Sequence, residues 1–131
     1  MGPVIYLLDT CTFLWLALPQ GKLSAVAKAE LDDPKNEFHL SDVSVWEITL
    51  KHTAGKLDLP APPSEWLPSR AAFFQVKPLA ITRAAIFRSG DLPKVHADPF
   101  DRLLAAQALE EQMTLISPDL PLSLLGAARI W

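Results

Sequence analysis

Five acidic residues at the edges of apolar segments are the part of this sequence best placed to do chemistry: Asp9, Glu47, Asp98, Asp101 and Asp119. Asp9 directly follows Val4-Ile5-Tyr6-Leu7-Leu8, a continuous run of the kind that marks a strand buried on both faces. Asp119 stands three residues past Ile116, after a second such run, and Asp42 and Glu47 follow a third that ends at Leu40. In open parallel sheets, ligands bind beyond the carboxyl ends of the strands. Three strands therefore deliver carboxylates to one sheet edge, and several acids from distant segments point to a cation site.

Each acid also has a purely structural reading. Glu47 lies roughly 40° round the helix from Val43, at the edge of an apolar stripe of Val43, Trp46, Leu50 and Ala54. It approaches the core on that geometry, or else pairs with Lys51 four residues on. Asp98 suits a helix N-cap, with Pro99 at the first helical position and Asp101 at the third, where negative charge favours the helix dipole. Asp101 also falls at the centre of the apolar face formed by Leu104, Ala105, Ala108 and Leu109, which a capping acid does not need. Asp119, in Ser117-Pro118-Asp119, fits turn chemistry as well as a site. Asp42 reads as a helix-start residue.

The elements that position these acids alternate. Strands are expected at Val4–Leu8, Glu37–Leu40, Val76–Ile81, Thr114–Ile116 and Arg129–Trp131. Helices are expected at Thr12–Leu18, ended by Pro19-Gln20-Gly21, and at Ala25–Leu31 after a Ser24 cap. Others run from Ser41-Asp42 to about His52, from Glu65 to Phe74, and from a Thr82 cap to about Ser89. After a loop from Gly90 to Ala97, a helix starts at Asp98 and runs to Gln112, and Leu122–Ala128 forms the last. The alternation gives an α/β class with a central, mostly parallel sheet covered by helices on both faces.

The chain has 131 residues, 50% hydrophobic and 21% charged, which fits one folded domain over residues 1–131. One cysteine, Cys11, excludes an internal disulfide and any multi-cysteine zinc site. Twelve Lys+Arg against fifteen Asp+Glu leave a net charge of -3, which argues against coating nucleic acid by bulk positive charge. The longest stretch free of charged residues, Thr10 to Gly21, is 12 residues, too short to span a membrane. The N-terminus lacks the basic start of a signal peptide, so a cytoplasmic protein without membrane contact is expected.

The acids and their surroundings, in this order, resemble the PIN domain, and within it the VapC-type toxin ribonucleases of toxin–antitoxin pairs. Four blocks carry the resemblance: Leu7-Leu8-Asp9-Thr10-Cys11-Thr12-Phe13-Leu14-Trp15-Leu16; Ser41-Asp42-Val43-Ser44-Val45-Trp46-Glu47-Ile48 with Lys51-His52 and Gly55-Lys56-Leu57; His96 through Ala108; and Leu115-Ile116-Ser117-Pro118-Asp119. The resemblance places the family's acidic quartet on Asp9, Glu47, Asp101 and Asp119, with Asp98 as a neighbouring metal ligand or only a cap. The chain departs from the pattern at Cys11, where a His is common, and in the last block, where Ser117-Pro118 stands for Thr-Ala and Leu122 for an aromatic residue.

The resemblance implies a metal-dependent endoribonuclease holding Mg²⁺ or Mn²⁺. Clustered carboxylates alone would repel a phosphodiester, and a bound cation inverts that sign. Thr10 and Ser117 are expected to hydrogen-bond the carboxylates and hold their orientation. Lys51, His52, Lys56, Lys94, His96 and Arg102 are candidate phosphate contacts, although each taken singly reads as a solvated surface residue. Phe13, Trp15, Trp66, Phe73 and Phe74 exceed what the core needs, leaving aromatics for a dimer interface or a partner's helix. The implied partners are RNA, a cognate antitoxin and a second copy in a homodimer, with DNA reached only through the antitoxin. Two other readings are a phosphatase using Asp9 as nucleophile and a non-catalytic partner-binding domain on the same scaffold. The phosphatase pattern wants a second Asp two residues on, where Cys11 stands.

Overall fold

The run Ile5–Leu8 forms strand β1, and its alternate side chains feed two separate cores. Tyr6 and Leu8 point to one sheet face and Leu7 to the other, with Leu7 and Leu8 wholly buried. A strand apolar at every position needs such a central place, because period-two geometry sends its side chains to both faces. The structure, a computed structural model, describes residues 3–18 and 21–131. The expected helix break at Pro19 and Gln20 lies outside them.

Along the chain follow α1 (Thr10–Ala17), α2 (Ala25–Asp32), β2 (Glu37–Ser41), α3 (Asp42–Thr53), α4 (Pro63–Phe73), β3 (Val76–Leu79), α5 (Arg83–Asp91), α6 (Pro99–Glu111), β4 (Thr114–Ile116), α7 (Leu120–Leu124) and β5 (Arg129–Ile130). The five strands pair in the order β3-β2-β1-β4-β5, all parallel. Leu8 lies in register with Leu40 on one side and Ile116 on the other. The chain therefore adds strands outward from β1 in one direction, then crosses back to add β4 and β5. The strand order reverses between β1 and β4, and their carboxyl ends open there together. One core packs Phe13, Ala27, Ile48, Trp66 and Leu67 against the sheet. The other packs Leu104, Ala105, Ala108, Leu122 and Leu125.

Several expectations shift on inspection. α1 begins at Thr10, not Thr12, because the Asp9 side chain accepts the Thr12 N–H and caps the helix. α4 begins at Pro63, which occupies its first turn without needing an N–H partner. α7 spans Leu120–Leu124 rather than Leu122–Ala128, since Gly126 at φ 101° ends it. On α3 the expected apolar stripe is not the buried one: Val43, Ser44 and Ile48 are buried, whereas Trp46 and Leu50 are 56% and 44% exposed. Phe13 and Trp66 are not surplus aromatics. They form a buried edge-to-face pair at 6.1 Å. Phe73 is exposed, and Trp15 packs against Trp131.

Tyr6, the single tyrosine, donates its hydroxyl to Glu30 at 2.9 Å and stacks on Phe38. Burial, followed by the hydrogen bond to the Glu30 carboxylate, pushes its pKa up to about 12. A raised folded pKa means that the stabilisation is complete below pH 10 and is lost as the pH rises through 12. Tyrosinate absorbance should therefore titrate near pH 12, with unfolding over the same range. A midpoint near that of free tyrosine in the folded protein would refute the packing described for Tyr6.

Candidate active site

Asp9 ends the central strand, and the fold buries it to 4% exposure. Burying a carboxylate is costly unless it is hydrogen-bonded, and Asp9 is surrounded by donors. The Thr12 N–H reaches Oδ1 at 2.8 Å, the Cys11 thiol lies 3.3 Å from both oxygens, and the Ser117 hydroxyl donates to Oδ2. Burial still dominates and raises the Asp9 pKa, with Ser117, Thr12 and Cys11 pulling the other way. The same burial, with the negative charge of Asp9 beside it, raises the Cys11 thiol far above its ordinary value. Cys11 is therefore a neutral neighbour and no nucleophile at physiological pH.

Ser117, wholly buried just after β4, links two acids. It donates to Asp9, and its oxygen accepts the Asp119 N–H at 3.0 Å. Asp119 occupies the N-cap position of α7, yet its side chain makes no capping bond. Its carboxylate stays free for the cleft, which the turn-chemistry reading of this residue did not foresee. One ligand atom each from Asp9, Cys11 and Asp119 lie within 4.8 Å of one another.

Glu47 and Asp101 complete the arrangement from two helices. Ser44, Glu47 and Lys51 share one face of α3, and with Asp9, Asp101 and Asp119 they line a cleft of about 80 Å³. Glu47 meets Lys51 at 3.3 Å, as its spacing allows. Asp101 shares a 2.7 Å hydrogen bond with His96 Nε2. Burial raises the Asp101 pKa, which the His96 bond opposes and the nearby Asp98 charge reinforces. The four acids from four segments thus meet at the carboxyl ends of β1 and β4.

The remaining expectations divide. Asp98 caps α6, accepting the Phe100 and Asp101 N–H groups at 2.8 and 3.1 Å, and it does not line the cleft. His96, Asp98 and Asp101 do bring one ligand atom each within 4.8 Å of one another. Thr10 lines the cleft, but among the described residues it makes no hydrogen bond to a carboxylate. Thr12 takes that role, because the Asp9 cap puts the third residue's N–H on the acid. His52 faces a larger apolar groove of about 760 Å³ between α3, α4 and β3, away from the acids.

Sequence reasoning missed Ser44 and Gln107. Ser44 Oγ is buried at the cleft and has no hydrogen-bond partner among the described residues. Its spacing from Glu47 was the available signal. Gln107 joins the Ser41 hydroxyl to the Ala80 carbonyl, tying α6 to the start of α3. A buried amide inside an apolar helix face carries no such signal.

The donors suit a hard divalent cation. Asp9 and Asp119 offer close carboxylate oxygens, Glu47 and Asp101 line the same cleft, and the orphaned Ser44 hydroxyl is available to a bound water.

Fold and cleft together define an open parallel α/β domain with its acids at the strand-order reversal. The PIN domain family profile matches residues 6–124, and the chain belongs to that family. Among solved structures it is similar to VapBC2 from Rickettsia felis bound to a promoter DNA fragment (16% identity, TM-score 0.73, covering 97% of this chain and 98% of the other). It is also similar to VapBC-1 from nontypeable Haemophilus influenzae (16%, TM-score 0.64, 97% of both chains) and to FitAcB from Neisseria gonorrhoeae (16%, TM-score 0.62, 96% of both). At this identity the likeness is one of fold. No curated protein is similar enough in sequence to count as a relative.

Because burial raises the Asp9 pKa, the ionised side chain destabilises the cation-free fold at neutral pH. Asp9→Asn keeps the acceptor for the Thr12 N–H and removes that charge. It should raise the melting temperature at pH 7 in EDTA, by roughly 3–6 °C for each 1 kcal/mol regained. The gap to the wild type should close as the pH falls and Asp9 becomes protonated. Calorimetry showing the variant equal or less stable at pH 7 would contradict this account of Asp9.

Proposed function

We propose that this chain is a metal-dependent endoribonuclease of the VapC type, the toxin of a toxin–antitoxin pair. The observation that carries the reading is the convergence of Asp9, Glu47, Asp101 and Asp119 on one cleft at the strand-order reversal. Asp9, Asp101 and Asp119 would hold Mg²⁺ or Mn²⁺, with Glu47 as a further ligand or the base, and Asp98, the α6 cap outside the cleft, would act in the outer shell beside Asp101. A cation bound there would neutralise the carboxylates toward an incoming phosphate and shield the charge that develops as the bond changes.

The chain's own groups have separable tasks. Glu47, at the cleft wall, accepts the proton from the attacking water as its oxygen bonds to phosphorus. The bond from phosphorus to the leaving oxygen breaks, and that oxygen takes a proton from solvent. Ser117 and the Thr12 N–H hold Asp9 in one orientation. The cleft is small, about 80 Å³, and its walls carry four carboxylates, a lining that suits a phosphate edge with its cation and water. Lys51, already beside Glu47, stands where a phosphate would arrive.

Among the solved structures of similar fold are a toxin–antitoxin complex from Klebsiella pneumoniae and VapBC2 from Rickettsia felis bound to a fragment of its promoter, and both support a protein partner. By extension this chain pairs with a cognate antitoxin and a second copy of itself, and meets DNA only through the antitoxin. Among the described residues no helix is long and apolar enough to cross a membrane. A cytoplasmic site of action, where RNA is available, fits the proposed substrate.

Purified protein incubated with structured RNA should cleave it with Mg²⁺ or Mn²⁺ and stop in EDTA. Asp9→Asn and Asp101→Asn should each lower the rate about 10²-fold or more, and Ser117→Ala by about 10–100-fold. Cleavage that persists in EDTA, or full activity in both Asn variants, would remove these carboxylates from the chemistry. Efficient turnover of a phosphomonoester with no RNA cleavage would favour the phosphatase reading.

A further inference from the structure

Arg102 follows Asp101 on α6, yet it is not among the residues lining the acid cleft. All five of its N–H donors are committed, and every acceptor is a backbone carbonyl. Nε and Nη2 both donate to Ser89 O, at 3.1 and 2.7 Å. Nη2 also donates to Leu92 O at 2.9 Å, and Nη1 to Pro93 O at 2.8 Å and His96 O at 3.0 Å. No donor remains for a phosphate, so the sequence expectation of a phosphate contact at Arg102 is corrected.

These four carbonyls span the last turn of α5 and the connection to α6. Residues 92–98 of that connection have no helix or strand of their own, and Pro93, Lys94 and Val95 are exposed. Leu92 is its buried apolar anchor. The segment therefore owes its path largely to one guanidinium, which also meets the unpaired carbonyls at the end of α5. The same segment delivers His96, whose carbonyl is held by Arg102 and whose ring reaches Asp101 at 2.7 Å.

We propose that Arg102 is a positioning residue: by clamping the Ser89–His96 segment it seats His96 against Asp101 and so fixes that carboxylate in the cleft. The part of this that concerns cation binding rests on the proposed function. The clamp itself rests on geometry alone. A lysine could not replace it, because three donors on one nitrogen cannot reach four carbonyls spread along a loop, whereas the planar guanidinium presents five.

The test uses the full chain with Arg102→Met, Arg102→Lys, His96→Ala and the double variant Arg102→Met/His96→Ala. It has two readouts without RNA: backbone order parameters from nuclear spin relaxation over residues 90–97, and Mn²⁺ affinity from the spin resonance of free Mn²⁺. Arg102→Met should lower the order parameters of this segment from the rigid range of about 0.85 to below about 0.6 and weaken Mn²⁺ binding by about 10–100-fold. Arg102→Lys should fall between it and the wild type on both. His96→Ala should weaken Mn²⁺ similarly while leaving the order parameters at residues 92–95 as in the wild type. The double variant should bind no more weakly than the worse single one, because both changes act on one pathway. Unchanged order parameters, unchanged Mn²⁺ affinity, or losses that simply add in the double variant would overturn the proposal. If Arg102→Met does not fold, Arg102→Lys decides by the same criteria. If the wild type takes up no Mn²⁺, the cation reading of the cleft fails. The order parameters and the His96 ring resonance, which should shift on loss of Arg102, then decide the clamp.

Discussion

The whole arrangement depends on one buried carboxylate. Asp9 sits where the central strand of a fully covered sheet ends, so its charge has little water and must be held by protein donors. The donors come from both sides of the strand-order reversal. The start of α1 supplies the Thr12 N–H, and the end of β4 supplies Ser117. Thr12 also donates its hydroxyl to Ile116 O at 2.8 Å, so the passage from β1 into α1 is tied twice to the end of β4. Satisfying Asp9 therefore closes the crevice that brings Asp119 near it.

That constraint explains why the cleft is both polar and well ordered. A carboxylate at a sheet edge facing open water would need no such shell, and it would hold no fixed geometry. Here Asp9 is oriented by three donors and Asp101 by His96, and Asp119 is drawn in through Ser117. Burial favours protonation at Asp9 and Asp101, and at Asp101 the charges of Asp98 and Asp119 add to it. The fold holds this arrangement by packing around it: Leu7, Leu8, Leu115 and Ile116 are wholly buried directly beneath the site. Stored electrostatic strain of this kind is relieved by a cation, and a functional site is where a protein accepts it.

The second organising element is α6. Its N-terminus carries Asp98 as cap, Asp101 toward the cleft and Arg102 toward the preceding loop. Its middle carries Gln107 against Ser41. One helix thus sets the position of an acid, the loop beside it and the start of α3, from which Glu47 projects. The small residues Ala105, Ala106 and Ala108 let it lie close to the sheet.

Much of this was legible in the residues alone. A short apolar run rich in β-formers reads as a central strand, and an acid directly after it in a parallel sheet falls at the carboxyl edge, so the α/β class and the place of Asp9 were legible in local pattern, whereas Asp119 read equally well as a turn residue. Asp98 as a cap and Asp101 on an apolar face followed from helical spacing. What tertiary structure decided was which helix face meets which neighbour. Periodicity gave Trp46 and Leu50 the same weight as Val43, yet the sheet covers Val43, Ser44 and Ile48 and leaves the larger side chains out. Spacing also cannot say that Arg102 spends every donor on carbonyls up to 13 residues away, or that Ser44 is left without a partner. Hydrogen bonds and burial between segments distant in sequence depend on relative placement in three dimensions, to which periodicity along the chain is blind.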